Sequence, residues 1–199
     1  MNPPDNPRRP EAPADALFVD RWSPRAFSPE HLPDETVAAL FEAARWSPSC
    51  ANEQPWLFLY ARSEEDRKRF HSLLAPGNQR WAHRAPLLIF AAARRNWADG
   101  GEPNRHHAFD TGAAWMALAL QARLLGLYAH AMAGFDEERS YDVLGLPKKD
   151  YEVMAAIAVG KCGDAAELPE DLQRREHPSE RKPLSQVAVE GEWRGGSEE

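Results

Sequence analysis

The run Arg21-Trp22-Ser23-Pro24-Arg25-Ala26-Phe27 sets a guanidinium group on either side of one hydroxyl. Guanidinium forks and hydroxyls are the donors that suit an anion with several oxygens, a phosphate above all. The same residues also suit a solvated surface turn, and the run alone leaves both readings open. A second stretch, "SPSCANEQPWLF" (47–58), places Ser49, Asn52 and Gln54 between the end of a helical pattern and a buried strand. Amides and hydroxyls at the mouth of a sheet present donors and acceptors to the edge of a polar heterocycle. A loop that satisfies its own polar groups is the alternative.

Other chemistry finds no support. There is no G-x-S-x-G elbow and no H-E-x-x-H pair, so no nucleophile or catalytic residue is assigned. His106 and His107 have no cysteine or acid at ligand spacing, and no metal residue is assigned. The glycine patterns of P-loops and of dinucleotide-binding folds are absent. Without such a nucleotide fold, no acidic or basic residue reports a choice between NADH and NADPH.

The elements that must position these residues follow from pattern. Pro33-Asp34-Glu35 opens a helix with acid in its first turn, and Val37, Leu40, Phe41 and Ala44 give it one apolar face. Ser47-Pro48 ends it, because the residue before proline is pushed out of the helical region. "PWLFLYA" (55–61), "APLLIFAAA" (85–93) and "YEVMAAIAVG" (151–160) read as buried strands, and "LYAHAM" (127–132) as a further one. Short helices are expected over 64–74 and 137–144, and a polar loop over 96–110. Residues 110–125 form an alanine-rich helix, apolar on nearly every side and therefore expected to be buried, either under a sheet or against another subunit, with Gly126 closing it. A last extended apolar pattern lies at 183–189. Strands separated by helices imply an α+β sandwich with helices covering a central sheet.

The chain has 199 residues, 43% hydrophobic and 28% charged, which suits one soluble domain with a core of its own. A proline-rich arm, disordered or extended, is expected at 1–14, the domain at 15–190, and a flexible tail at 191–199. The net charge of -7, without a basic stripe, argues against a nucleic-acid partner. No apolar run is long enough for a membrane span, the start lacks the layout of a signal peptide, and Cys50 and Cys162 form no metal or redox motif. A cytoplasmic location is therefore expected. Seven tryptophans are many for this length and suit a planar ligand as well as a core.

"RWSPRAF" and "SPSCANEQPWLF" are followed in order by "GNQRW" (77–81), "LLGLYAHAMAGFD" (124–136) and "ERKPLSQV" (180–187). Together they resemble the motifs of the flavin-dependent nitroreductase family, over residues 17–189. The resemblance implies a three-layer α/β/α nitroreductase-like sandwich with a central mixed, mostly antiparallel sheet, assembled as a domain-swapped homodimer with FMN at the subunit interface. It also implies hydride transfer from NAD(P)H through flavin N5 to a small organic acceptor (a nitroaromatic, a quinone or an enone) by a ping-pong mechanism. Two other outcomes stay open: a flavin dehydrogenase, dehalogenase or flavin-degrading enzyme on the same scaffold, and a non-enzymatic flavin-binding protein.

Residue by residue, the resemblance assigns Arg21 and Ser23, with Trp22 between them, and the late Arg181 to the FMN phosphate. Arg25 is assigned to the pyrimidine edge of the ring, where a cation makes the flavin easier to reduce. Pro48, Ser49, Cys50, Asn52 and Gln54 form the loop that the neighbouring subunit lays on the flavin. Asn78 matches an amide that bonds the ring. Gly134 matches the backbone N–H donor to N5, with Ala133 before it where relatives often carry an acid. Trp81 stands where some relatives have lysine, and Cys50 where serine is common.

Overall fold

The computed structural model describes residues 6–193. Residues 1–5 of the expected arm and 194–199 of the expected tail lie outside the described residues. Four strands, β1 (Trp56–Ala61), β2 (Leu87–Arg94), β3 (Tyr128–Met132) and β4 (Tyr151–Gly160), form one sheet in the order β1-β2-β4-β3. Every pairing is antiparallel. No parallel strand joins them among the described residues, so the sheet within this chain is not mixed. The segment expected to be extended at 183–189 instead turns through a short 3-10 helix at Leu184–Gln186. Pro183 opens that turn, and the side chains of Leu184, Val187 and Val189 meet solvent rather than a neighbouring strand.

The central strands are continuous apolar runs because both of their faces are covered. Along β2, Leu88, Phe90 and Ala92 point into one core, while Leu87, Ile89 and Ala91 point into the other. Helices α2 (Asp34–Arg45) and α5 (His107–Leu124) close the second core with Val37, Leu40, Ala114 and Leu118. On the opposite face lie α3 (Glu64–His71), α4 (Pro76–Ala82), α6 (Glu137–Leu144) and α7 (Glu170–Gln173). They contribute Phe70, Trp81, Tyr141 and Leu172. A short α1 (Ala16–Asp20), capped by the Asp15 side chain on Leu17 N, leads into the arginine run. The three layers are therefore helix, sheet and helix.

Helix α5 begins a turn earlier than its alanine pattern predicts and ends as expected, with Gly126 at φ 72°. Within the single chain it is not buried all round. Ala114, Leu118 and Ala122 face the core, whereas Phe109 is 80% exposed and Leu124 67%. No helix among the described residues is long and apolar enough to cross a membrane.

The run at 21–27 is tied to the sheet just beyond the end of β4. Phe27 bridges Cys162, Ser28 N donates to Lys161 O at 3.0 Å, and Gly163 N donates to Ala26 O at 2.8 Å. Gly163 fits there because it lacks a side chain: a Cβ would lie 2.7 Å from the backbone carbonyl of Phe27. Gly163→Ala should therefore lower stability by about 1–3 kcal/mol, the usual cost of an overpacked contact. Thermal unfolding checks this, and an unchanged midpoint would mean that the two segments part freely.

Candidate functional site

Side chains at 21–26 alternate between partly buried and buried, as they do where backbone is extended and sends neighbours to opposite sides. Trp22, Pro24 and Ala26 are buried, with Trp22 edge-on to Tyr128 at 6.1 Å between ring centroids. Arg21, Ser23 and Arg25 are only half-buried and line a cavity of about 340 Å³. The backbone is held by Glu176, whose Oε1 accepts from Arg25 N at 2.7 Å and Ala26 N at 2.8 Å. Its other oxygen lies 3.9 Å from Arg25 Nη1.

Arg181 lines the same cavity, so the two ends of the chain do meet. Five further lining residues were not foreseen: Arg8, His130, Arg175, His177 and Ser179. Five guanidinium groups thus surround one space, and among the described residues only Arg25 has a carboxylate within 4.0 Å. The crowding shows in their proton affinities. Burial pulls Arg21 below its ordinary value, and the charge of Arg181 lowers it further. Burial and then Arg175 do the same to Arg25, partly offset by Glu176. Glu176 itself is pushed up by burial despite its two backbone donors and Arg25. This is a site short of negative charge.

His130, on β3, forms the floor beside these cations. Its Nδ1 lies 2.8 Å from the Pro24 carbonyl and its ring 4.6 Å from that of Trp81. A carbonyl only accepts, so Nδ1 carries the proton and the neutral ring keeps Nε2 as an acceptor. Burial pulls the histidine down to about 4, with Arg25 acting in the same direction against the Pro24 hydrogen bond.

A second group sits past the end of β3. Gly134 O accepts from Ala75 N and from Asn78 Nδ2, each at 2.9 Å. Asn78 Oδ1 and the Gly134 N–H have no partner among the described residues. A Cβ on Gly134 would come within 2.9 Å of Asn78 Nδ2, so glycine keeps the backbone open to close approach. Ala133 beside it is exposed. Trp81, one turn along α4 from Asn78, is buried in the core against Phe27.

The loop at 48–54 is strained and well held. Ala51, Asn52 and Gln54 adopt positive φ of 51°, 58° and 49°, a conformation that costs a side-chain-bearing residue energy and that clusters at functional sites. Gln54 N donates to Ser49 Oγ at 2.9 Å, Gln54 Nε2 to Asn52 O at 3.0 Å, and Cys50 N to the buried Asp110 at 3.1 Å. Pro48, Asn52 and Gln54 face solvent. None of this loop lines the arginine cavity of its own chain. His107 is engaged elsewhere, between Asn104 O and Glu152.

A family model described as the nitroreductase family matches residues 19–79 and 71–161. A crystal structure described as an oxidoreductase containing FMN superposes with a TM-score of 0.92 and 44% identity, covering 96% of this chain and 98% of that one. An uncharacterized 15.4 kDa protein of Mycolicibacterium smegmatis is 41% identical over 61% of this chain and 80% of its own length. A Streptomyces coelicolor protein with the provisional name NADH dehydrogenase/NAD(P)H nitroreductase is 31% identical over 65% of this chain and 74% of its own length.

His130 makes the cavity sensitive to acid. The unfolded chain takes up that proton near 6.5 and the folded chain only near 4, so between them the unfolded state binds more protons. Stability should then fall as pH drops through this window, by up to about 3 kcal/mol. Denaturant unfolding of wild type and His130→Gln across pH 4–7 checks this, and the variant should show the shallower slope.

Proposed function

The chain belongs to the nitroreductase family, and on that premise we propose that it is a homodimeric FMN oxidoreductase using NAD(P)H to reduce a small organic acceptor such as a nitroaromatic, quinone or enone. The observation that carries this reading is the cavity where Arg21, Ser23 and Arg181 meet. A phosphate monoester brings close to two negative charges and three acceptor oxygens. Guanidinium groups without carboxylate partners are the complement of such an ester, and their repulsion is relieved when it binds. The donor set therefore fits FMN, and the likeness to an FMN-containing oxidoreductase supports the assignment.

FMN, when bound, supplies the hydride relay, accepting at N5 from NAD(P)H and delivering to the acceptor in the same place. The residues of this chain supply the setting. Arg21, Ser23 and Arg181 hold the phosphate. Arg25, its position fixed by Glu176, supplies a cation for the edge of the ring that becomes negative on reduction. Asn78 Oδ1 and the Gly134 N–H are the unclaimed acceptor and donor for the ring's polar edge. No side chain is required as acid, base or nucleophile. Burial pushes the Cys162 thiol up to about 12, which keeps it protonated and unreactive.

Pro48, Ser49, Cys50, Asn52 and Gln54 complete the site from a second copy of the chain. Two exposed aromatic residues flank that loop and support a partner there. Trp46, two residues before Pro48, is 74% exposed, and Phe109, next to the Asp110 that holds Cys50, is 80% exposed. Val187 and Trp193 are likewise exposed in the C-terminal segment, which fits exchange of terminal segments between copies.

The purified protein should be yellow and should bleach within seconds under anaerobic NADPH or NADH. A yellow protein that never bleaches would reduce the reading to flavin binding. Arg21→Ala should weaken FMN by about 10- to 100-fold, the worth of a charged hydrogen bond, and retention of full flavin content would remove the phosphate role. Charge placed on the aromatic pair, Trp46→Glu with Phe109→Glu, should give monomers on size exclusion that elute without flavin. Yellow monomers would show that one chain suffices.

A further inference from the structure

The proline-rich arm places a side chain inside the arginine cavity. Arg8 Nε donates to Ser179 O at 2.7 Å, and its Nη1 donates to Val19 O at 2.9 Å and Arg21 O at 2.8 Å. A guanidinium carries five N–H donors in a planar fork. Three of Arg8's are thus spent on neutral carbonyls from both ends of the domain, and the two on Nη2 have no acceptor among the described residues. No carboxylate lies within ion-pair distance of it among those residues, and it lines the cavity with Arg21 and Arg181.

The arm is built to hold it there. Asn6 Nδ2 donates to Val19 O at 3.2 Å and to Asp20 Oδ1 at 2.9 Å, and Glu11 Oε2 accepts from Leu184 N at 3.2 Å. Pro7, Pro10 and Pro13 stiffen the segment by fixing φ, which lowers the entropy lost on ordering it. Burial, then Arg181 and Arg21, pull Arg8 below its ordinary value, with Asp20 offsetting them in part. The neighbouring Arg9 is different. It is exposed, reaches only the carbonyls of Asn6 and Arg8, and does not line the cavity.

We propose that Arg8 is a further phosphate-binding residue: it clamps the segments bearing Arg21 and Arg181 together through their carbonyls and turns its remaining two donors to the phosphate. The arm is then part of the binding site. This rests on the phosphate reading given above, and the controls separate the two.

Full-length protein freed of ligand by dialysis is titrated with FMN and with riboflavin, which lacks the phosphate, by quenching of flavin fluorescence. Arg8→Gln should weaken FMN by about 10-fold, as expected for loss of a charged hydrogen bond, and leave riboflavin within a factor of about 3, a spread ordinary for such contacts. Arg8→Lys, which keeps the charge and loses the fork, should fall between Arg8→Gln and wild type. Arg9→Gln should change neither ligand. Equal weakening of FMN and riboflavin in both Arg8 variants would make Arg8 a structural staple and overturn the proposal, as would FMN affinity unchanged in both. If Arg21→Ala loses FMN while the Arg8 variants keep it, only the Arg8 assignment falls. If Arg21→Ala also keeps it, the phosphate reading falls as well.

Discussion

Like charges held close together are the constraint around which this end of the molecule is organised. Arg8, Arg21, Arg25, Arg175 and Arg181 share one cavity, and Glu176 is the one carboxylate within ion-pair distance of any of them among the described residues. Much of that carboxylate's bonding goes to two backbone N–H groups rather than to charge. The fold must supply the force that keeps the cations together. It does so through backbone contacts: the Phe27–Cys162 bridge, the close approach of Gly163 to Phe27, and the carbonyls of Val19, Arg21 and Ser179 around Arg8. Rigid backbone supports repulsion that mobile side chains would escape. Preorganisation of this kind lets a bound anion gain attraction without ordering its own binding groups.

What the sequence made legible follows the range of the interactions involved. Strand β4 and helix α6 were readable to the residue, because a continuous apolar run and a capped turn are local patterns. Helices α1, α4 and α7 span too few residues to show a period, so Asn78 and Trp81 were placed by motif alone. The apolar pattern at 183–189 reads as extended, yet among the described residues no strand lies beside it and it turns instead. Propensity without a partner does not make a strand.

The site shows the same division. Arg21, Ser23, Arg25 and Arg181 were legible because they sit in motifs, and the structure brings them together. Arg8, Glu176 and His130 were not, since each matters through contacts across 11 to 171, 150 to 151, and 106 residues respectively. Only one cue was available: an arginine within a proline-rich arm, where stiff backbone makes a fixed position cheap in entropy. The loop at 48–54 is the remaining case. Its residue types were readable, whereas its left-handed backbone at Ala51, Asn52 and Gln54 was not, because nothing in those residue types demands it. Such strain persists only where its surroundings enforce it, here Asp110 and Ser49.

Net charge and local charge point in opposite directions, and the difference selects the size of ligand. A chain of net charge -7 repels extended polyanions such as nucleic acid, whose binding needs a broad basic surface. The arginines are instead gathered in a cavity of about 340 Å³, where low-dielectric walls concentrate their field. A compact anion reaches that field, and a polymer meets mainly the acidic exterior. His130 works to the same end: it lines the cavity without adding to the repulsion, because burial, with Arg25 beside it, keeps it neutral at ordinary pH. On the proposed reading, preference for a small phosphate ester over a polymer follows from where the positive charge is placed, in a protein whose total charge is negative.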